Sequence, residues 1–453
     1  MLTKGLIQKF NVKGPRYTSY PTANEWEEGF EESHYCKSLK NAENASLSLY
    51  FHLPFCEKMC YYCGCNVVIR KFKPEVSELY LSYLHKEMAL LLGYFSTKPL
   101  VKQLHFGGGT PNFFTADQLN RLYASIHQQF NISKEAEIAI EIDPRVTTLD
   151  HLQVLKSWGV NRLSMGLQDF DPIVQKAVNR IQPFEMTKSL VLSSRSLGFD
   201  SLNIDLIYGL PYQTVTSFLK TIDFIKTLNP DRIALYSYAH VPWLKSHQQL
   251  IKAQDLPDAD SKLDIFISAR NALLEAGYMS IAMDHFALKT DDMALAFQKN
   301  QLYRNFMGYT LKPADHFLGL GVSAIGHLSS TFVQNTRDLG VYYKQLDEGK
   351  LPVSRGLVLT EDDQIRQWVI QELMCHFKLD KSDFVKKTGR PFDVYFSFEM
   401  THLAQCEQDG LLILDQTGIS ITPLGKLFIR NICMGFDIYL RKNTQKNQFS
   451  STI

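Results

Sequence analysis

The sequence predicts an α/β protein: an open, partial (β/α)6 TIM-like barrel with an N-terminal arm and a mostly helical C-terminal domain. Between residues 47 and 238, short aliphatic or β-branched runs alternate with amphipathic helical patterns, which is typical of parallel β/α architecture. The runs are continuously apolar, as parallel strands covered on both faces are. Six such units are too few to close an eight-stranded barrel, so we expect the barrel to be open.

The strand–helix units can be placed along the chain. The predicted strands are Leu47–Leu53, Val101–Phe106, Ile138–Ile142, Arg162–Gly166, Leu202–Leu206 and Arg232–Tyr238. The predicted helices between them are Glu75–Leu92, Ala116–Phe130, His151–Trp158, Met186–Gly198 and Ser217–Leu228. Residues 36–300 therefore form the predicted barrel domain.

The two ends of the chain have a different character. Residues 1–35 are predicted to be an extended arm, because Gly14–Thr22 contains two prolines and little periodicity. Residues 301–453 are predicted to be a mostly helical lid. Its expected elements are the helices Glu361–His376 and Val394–Cys406, a hairpin over residues 409–421, and a helix from Pro423 to about Tyr439. This order resembles a winged helix, but no basic cluster marks a recognition helix, so we expect a packing role.

Composition excludes several classes of protein. The chain is 45% hydrophobic over 453 residues, enough for a large core. No apolar run reaches the roughly 18 residues of a membrane-spanning helix, so no membrane partner is expected. The 48 basic and 47 acidic residues leave a net charge of +1, without a long basic run. We therefore expect no nucleic-acid partner.

The most informative feature is a cysteine-rich loop after the first strand. Cys56, Cys60, Cys63 and Cys65 lie within ten residues, and the first three have the spacing C-x3-C-x2-C. Three thiolates on one short loop can ligate three corners of a [4Fe–4S] cluster. The fourth iron then has no protein ligand and can bind a chelating small molecule. This arrangement is the one that radical S-adenosylmethionine (SAM) enzymes use.

Two other interpretations compete for these cysteines. Structural zinc usually takes two separated pairs of ligands, whereas here all four cysteines are local. Disulfide frameworks belong to small secreted domains, and the first ten residues are too polar for a signal peptide. Free thiols and an iron–sulfur cluster both fit a reducing cytoplasm, which is the predicted location.

Polar residues follow each of the six predicted strands. The strand ends carry, in order, the cysteine loop, Gly107–Pro111, Glu141 with Asp143, Gln168 with Asp169, Asp205 with Tyr208–Pro211, and Tyr238–His240. Ligands of such folds bind at the carboxyl ends of the strands. The sequence therefore predicts that these residues converge on one site.

Each of these features also has a simpler structural explanation. The triple glycine could be only a tight turn, yet beside the cysteine loop it suits close backbone approach to a polar ligand. Glu141 could only cap a helix, but Pro144 disfavours helix immediately before it. Tyr62 could stack on an adenine ring. His240 and His285 are expected to be core histidines rather than catalytic ones.

The sequence resembles the oxygen-independent coproporphyrinogen III oxidases, which are radical SAM enzymes of tetrapyrrole synthesis. The extended motif C-x3-C-x2-C-x-C-N favours the oxidases over the related haem chaperones, which usually lack the fourth cysteine. The resemblance covers most of the chain, through Gly14–Thr22, Cys56–Asn66, Gly107–Pro111, Glu141–Arg145, Asn161–Gly166, Asn203–Pro211, Met283–Ala287, Gly319–Ile325 and Arg430–Met434.

The resemblance implies a set of site residues. Cys56, Cys60 and Cys63 would ligate the cluster, whereas Cys65 would not. One SAM would contact Tyr50, Gly108, Glu141 and Ile325 at the open iron, and Tyr50 and Glu141 are included among the expected catalytic residues. A second SAM would contact Tyr62, Gly109, Thr110, Gln168, Arg180, Asp205 and Ala239.

The resemblance also implies the reaction and its partners. 5′-Deoxyadenosyl radicals from SAM would drive oxidative decarboxylation of coproporphyrinogen III to protoporphyrinogen IX, converting two propionates to vinyl groups. A reductant such as flavodoxin or ferredoxin would supply electrons to a monomeric enzyme. Arg16 and Arg304 are candidates for binding the substrate carboxylates. A haem chaperone without oxidase activity is the alternative function.

Three positions depart from the pattern of the family. They are Ile181, Met307 and Gly435, and some family members carry polar residues at the first two. If Met307 faces the substrate, the polar contacts on that side of the site differ from those of such members.

Overall fold

The computed structural model describes residues 4–311, 313–442 and 449–452. Its centre is a sheet of 13 strands, six of which correspond to the predicted strands. These six are β1 (Leu47–Leu53), β2 (Leu100–Gly108), β3 (Asn131–Ile142), β4 (Arg162–Gln168), β5 (Ser201–Tyr208) and β6 (Arg232–Ser237). Each pairs in parallel with the next along the chain, which confirms the predicted parallel β/α architecture.

The sheet extends beyond the six predicted strands at both edges. A seventh parallel strand, β7 (His316–Leu320), pairs with β1. Antiparallel strands continue past β7 as Ile325–Leu328, Thr331–Asn335, Val353–Val358 and Glu27–Glu28, and past β6 as His285–Leu288 and Tyr278–Ile281. Within the described residues the strand order has two free ends, so the barrel is open as predicted.

Helices cover the sheet and connect its strands. Those of the barrel region and its flanks are Lys4–Phe10, Glu32–Asn41, Pro74–Leu92, Ala116–Gln129, Leu149–Ser157, Pro172–Ala177, Phe184–Ser196, Val215–Leu228, Ala259–Glu275, Asp292–Gln298 and Leu339–Asp347. Several begin at threonine capping boxes, in which the side chains of the N-cap and third helical residues bond each other's backbone N–H groups. Thr115, Thr148 and Thr214 act in this way.

The C-terminal part contains more strand than the sequence predicted. Short strands occupy Tyr303–Asn305 and Gly308–Thr310 before β7, and helices predominate only from Glu361. The later helices are Glu361–His376, Lys381–Thr388, Phe392–Tyr395, Met400–Gln408, Ile429–Met434 and Ile438–Lys442. The expected hairpin is present as Leu412–Leu414 and Gly418–Ile421, and Lys378–Asp380 completes a three-stranded sheet with it.

Two predicted C-terminal helices are interrupted. The segment 394–406 breaks before Met400, where the buried Glu399 accepts hydrogen bonds from Arg366 and Arg441, both at 2.9 Å. The segment after Pro423 starts as a 3-10 turn and breaks again at Gly435, where a Cβ would lie 2.2 Å from the His402 ring. Tertiary contacts therefore override local helix propensity at both places.

Two large hydrophobic cores and two small clusters stabilise the part of the chain that the structure describes. The larger lies between the parallel sheet and its helices and includes the fully buried Leu49, Leu104 and Ile204. The second lies in the C-terminal part and includes Tyr17 and Tyr20 of the arm. The arm therefore packs as part of the C-terminal core. Among the described helices, none is long and apolar enough to cross a membrane.

Candidate functional site

A large cavity opens beside the carboxyl ends of the first strands of the sheet. Its volume is about 1110 Å³, slightly above the usual range of roughly 300–1,000 Å³ for small-molecule sites. Tyr50 of β1, Gly108 of β2, Glu141 of β3 and Ile325 line it. The four residues expected to contact SAM at the open iron therefore share one cavity.

Backbone hydrogen bonds attach the cysteine loop to the end of β2. The N–H of Gly109 donates to the carbonyl of Leu53, and the N–H of Thr110 donates to that of Phe55, both at 2.9 Å. Cys56 lies in a short strand, Phe55–Cys56, which pairs in parallel with Val68–Ile69. The root of the loop is thus fixed between two backbone segments.

Two glycines permit this close packing. Gly108 has φ +117°, and a Cβ there would lie 2.7 Å from the His52 ring. A Cβ on Gly109 would lie 2.4 Å from the carbonyl oxygen of Pro54. Gly108 is therefore needed for the contact of β2 with β1, and Gly109 for its contact with the loop, beyond any role in a turn.

Cationic groups surround the sulfur of Cys60. Arg180 and Arg145 donate to this sulfur at 3.7 and 3.8 Å. Both guanidinium groups also pair with Asp143, at 3.3 and 2.6 Å. The two contacts with the sulfur hold the Cys60 side chain in place, and this sulfur is the atom that would ligate a metal.

The other thiols of the loop have different electrostatic surroundings. A hydrogen bond from Cys65 lowers the pKa of the Cys63 thiol to about 7, against the opposing effect of burial and with help from Lys245 and Arg180. Burial raises the pKa of the Cys56 thiol to about 12, although its hydrogen bond with Thr110 acts in the opposite direction. All four cysteines are free thiols, so the disulfide interpretation finds no support in the loop.

The loop supplies suitable donors for an iron–sulfur cluster. In the described residues, no three His, Cys, Asp or Glu side chains form a group that could hold a metal ion. The fit of a cluster therefore rests on the donor chemistry: three free thiols on one short loop, with arginines bonded to the most buried of them. Thiolates are the usual ligands of [4Fe–4S] clusters.

Glu141 presents a carboxylate to the large cavity. It accepts from the Gly108 N–H at 3.3 Å and lies 3.4 Å from Nε2 of His105. Burial raises the pKa of this carboxyl, but the His105 contacts and the Gly108 N–H outweigh burial, so the net pKa is lowered. Glu141 therefore offers an ionised acceptor that could bind an ammonium or ribose hydroxyl group.

Tyr50 and two histidines surround this carboxylate. The Tyr50 ring stacks on His105 at 5.8 Å, and its hydroxyl lies 3.1 Å from Nδ1 of His52. Burial lowers the pKa of His52, which keeps the imidazole neutral. The sequence analysis did not identify His52 and His105, because each is one of several polar residues in its strand.

A second group of expected ligand contacts lies around Arg180. Its Nη2 donates to the Gly166 carbonyl at 2.5 Å, while its Nε, like Oε1 of Gln168, is buried without a hydrogen-bond partner. Burial, and then the charge of Glu141, raises the pKa of Asp205 to about 6. Burial raises the pKa of the Tyr62 hydroxyl well above its usual value, against the opposing effect of the nearby charge of Arg180. The orphaned atoms leave hydrogen-bonding capacity for a polar ligand.

The remaining predicted positions are dispersed. Met307 lines the large cavity, whereas Ile181 lines a separate groove beside Cys56. Arg304 donates to the carbonyls of Arg16 and Tyr17 at 2.6 and 2.7 Å, and Arg16 donates to that of Ser237 at 2.6 Å. Neither arginine lines the large cavity. Their first role in this structure is to hold the arm.

Comparisons with known proteins place this geometry in a family. Residues 50–225 match the radical SAM superfamily, and residues 359–428 match the HemN C-terminal domain. The oxygen-independent coproporphyrinogen III oxidases of Salmonella typhimurium strain LT2 and Helicobacter pylori strain J99 are each 44% identical over 99% of this chain and 98% of their own length.

A solved structure agrees over nearly the whole chain. The coproporphyrinogen III oxidase (HemN) from Escherichia coli, described as a radical SAM enzyme, superposes with a TM-score of 0.92 at 43% identity. The match covers 97% of this chain and 99% of that one. The chain therefore belongs to the oxygen-independent coproporphyrinogen III oxidases of the radical SAM superfamily.

Proposed function

We propose that this protein catalyses the oxygen-independent oxidative decarboxylation of coproporphyrinogen III to protoporphyrinogen IX in haem biosynthesis. The observation that carries the proposal is full-length similarity to proteins named for this activity, at 44% identity over 99% of the chain. The enzyme is an oxidoreductase that converts two propionate side chains to vinyl groups with loss of two CO2.

Membership of the radical SAM superfamily implies a [4Fe–4S] cluster and SAM as cofactors. When bound, these cofactors supply the one-electron chemistry that breaks an unactivated C–H bond. The chain's own residues hold and orient them. Cys56, Cys60 and Cys63 are the proposed cluster ligands, and Arg145 and Arg180 hold the Cys60 sulfur in position.

The roles proposed for the cavity residues follow from their chemistry. Glu141 would accept from the ammonium or ribose hydroxyl groups of the first SAM, because it remains ionised beside His105. Tyr50, Gly108 and Ile325 would shape the wall against it and exclude water. These assignments are part of the proposal.

The proposal includes a second SAM, held by Tyr62, Gly109, Thr110, Gln168, Arg180, Asp205 and Ala239. The unpartnered Nε of Arg180 and Oε1 of Gln168 support it, because buried polar atoms usually have partners. The expected stoichiometry is two SAM per chain, measurable by equilibrium dialysis of the reconstituted protein.

The proposal extends to the setting of the reaction. The reductant would be a flavodoxin or ferredoxin, and the enzyme would act as a monomer in the cytoplasm, where its eight free cysteines remain reduced. The proposed functional parts are the arm 1–35, the catalytic barrel 36–300 and the lid 301–453. The strands between His316 and Val358 belong to the same 13-stranded sheet as the barrel strands, which supports concerted action of lid and barrel.

Porphyrin product analysis tests the function directly. Anoxically reconstituted protein, supplied with SAM, a reductant and coproporphyrinogen III, is expected to release protoporphyrinogen IX together with methionine and 5′-deoxyadenosine. A haem chaperone would instead bind haem tightly and give no vinyl product. Haem binding without vinyl product would overturn the proposal in favour of the chaperone.

A further inference from the structure

The wall of the large cavity carries an excess of positive charge. Lys245, Arg337 and Arg355 line it, and Glu141 is the single carboxylate among its described lining residues. Lys245 donates to the carbonyl of Cys65 at 2.9 Å, so one of these cations is tied to the cysteine loop. The two arginines come from a different part of the chain, between β7 and the C-terminal helices.

One glutamine brings the two arginines together. Oε1 of the buried Gln334 accepts from Nε of Arg355 at 2.8 Å and from Nη2 of Arg337 at 3.4 Å. Gln334 is itself fixed, because its Nε2 donates to the carbonyl of Ser323 at 3.0 Å. Two guanidinium groups are thus held side by side by a neutral amide.

Little negative charge compensates this pair. Arg355 is 12% exposed, and its acidic partner is Glu28, 3.5 Å away and 77% exposed to solvent. Burial, and then the charge of Arg337, lowers the pKa of Arg355, which identifies the two as interacting like charges. An ion pair with so exposed a carboxylate contributes little. Nη2 of Arg355 also donates to the carbonyl of Ala23 at 2.5 Å, but this neutral partner cancels no charge, so the two cations together can still attract an anion.

The same cavity also has an apolar wall. Phe306, Met307 and Phe317 line it, and the rings of Phe306 and Phe317 lie 6.2 Å apart. Aromatic and thioether side chains suit a flat, hydrophobic ring system, whereas guanidinium groups suit carboxylates. The cavity therefore combines the two kinds of surface that an amphipathic ring bearing acidic arms needs.

We propose that Arg337 and Arg355 bind propionate carboxylates of the substrate, with Gln334 positioning the two guanidinium groups. This inference rests on the proposed function, because coproporphyrinogen III carries four carboxylates and the product only two. It moves the carboxylate ligands away from Arg16 and Arg304. Binding here holds the macrocycle in the cavity that Glu141 and the cysteine loop share.

Equilibrium binding of a non-reacting porphyrin tests the site. Coproporphyrin III, the oxidised porphyrin with the same four carboxylates, is titrated into the anoxically reconstituted full chain without reductant, and its fluorescence is followed. Mesoporphyrin IX, with two carboxylates, is the comparison probe. We expect Arg337→Gln and Arg355→Gln each to weaken coproporphyrin III binding roughly ten- to hundredfold, and mesoporphyrin IX binding less.

Two further variants separate charge from folding. Lys220→Gln removes an exposed cation from the helix Val215–Leu228 and is expected to bind both porphyrins as the wild type does. Arg337→Lys keeps the charge of an exposed residue without the planar fork and should recover part of the affinity. Because Arg337 is exposed, its substitutions test the site even if Arg355→Gln unfolds.

The outcomes distinguish this inference from the proposed function. If the wild type makes protoporphyrinogen IX but both glutamine variants bind coproporphyrin III unchanged, the arginine site is wrong. If the variants lose binding while the wild type yields no vinyl product, the site stands as a tetracarboxylate receptor and the proposed reaction fails.

Discussion

At the scale of single residues, the position of the cysteine loop depends on the absence of a side chain at Gly109. Gly109 donates its N–H to Leu53 while its Cα lies against Pro54, where a Cβ would come within 2.4 Å of the carbonyl oxygen. The contacting atoms belong to the backbone and cannot rotate away. The alignment of Cys56 with the barrel therefore depends on this glycine.

We expect Gly109→Ala to lower the melting temperature and the iron content of the reconstituted protein. The methyl group must push the loop away from β2, which costs about 1–3 kcal/mol by analogy with overpacked sites. Gly64→Ala is the matched control in the same loop, because a Cβ there meets no atom within 4 Å. Equal melting temperatures and iron contents for the two variants would show that the packing argument is wrong.

At the scale of elements, a buried tyrosine connects the end of β1 to the segment that follows β7. The hydroxyl of Tyr80 donates to the His52 carbonyl at 2.7 Å and accepts from the Val322 N–H at 3.1 Å. Nearby, Glu87 accepts from the Gly321 N–H at 2.7 Å. These bonds hold the segment carrying Ile325 against the root of the cysteine loop.

Removing the hydroxyl in Tyr80→Phe should reduce the free energy of unfolding by about 1–3 kcal/mol, because a buried carbonyl and N–H lose their partner. It should also weaken SAM binding, measured by equilibrium dialysis, as Ile325 loses its support. Tyr83→Phe on the same helix is the control, since its hydroxyl bonds only the exposed Asp347. If Tyr80→Phe left the affinity for SAM unchanged, the hydrogen bonds of Tyr80 would have no role in supporting the SAM site.

The elements also explain which parts of the fold could be predicted from the sequence. The six parallel strands were predictable because each is rich in aliphatic residues and is followed by a helical pattern, and β1 matches in both bounds. β7 was missed because it is short and contains Gly319. That glycine lets the Ile325 carbonyl approach to within 2.1 Å of where a Cβ would stand, a long-range requirement that propensity cannot reveal.

The candidate site likewise contains parts that could be predicted from the sequence and parts that could not. The cysteine loop was predictable because its spacing is local and its chemistry is specific. The pairing of Arg337 with Arg355 was not, because it depends on the antiparallel register that brings Gln334 opposite Arg355. Arg16 and Arg304 were plausible by charge alone, but their hydrogen bonds engage backbone carbonyls of the arm and barrel, and neither side chain lines the large cavity.

At the scale of the whole molecule, hydrogen bonds from the C-terminal part hold the N-terminal arm in place. Arg430 donates to the carbonyls of Gly14 at 2.5 Å and Pro15 at 2.9 Å, and it is 6% exposed. Tyr17 donates to Asp437 at 3.1 Å. Because Arg355 also bonds the carbonyl of Ala23, the arm is held both at the lid and beside the large cavity.

We expect Arg430→Met to destabilise the protein by about 2–5 kcal/mol, since two buried carbonyls lose a charged donor. Limited proteolysis should then cleave within residues 11–22 while the barrel remains intact. Arg390→Met is the control, because Arg390 is 48% exposed and pairs with a Glu361 that is 71% exposed. Equal protease resistance in both variants would refute the role of Arg430 as a clamp.

The most direct test of the central claim is the electron paramagnetic resonance spectrum of dithionite-reduced, anoxically reconstituted protein, recorded with and without SAM. A [4Fe–4S] cluster held by Cys56, Cys60 and Cys63 predicts a signal that SAM alters, that persists in Cys65→Ser and that disappears when any one of the three ligands becomes serine. A wild-type signal indifferent to SAM, or its loss in Cys65→Ser, would contradict an iron open to SAM.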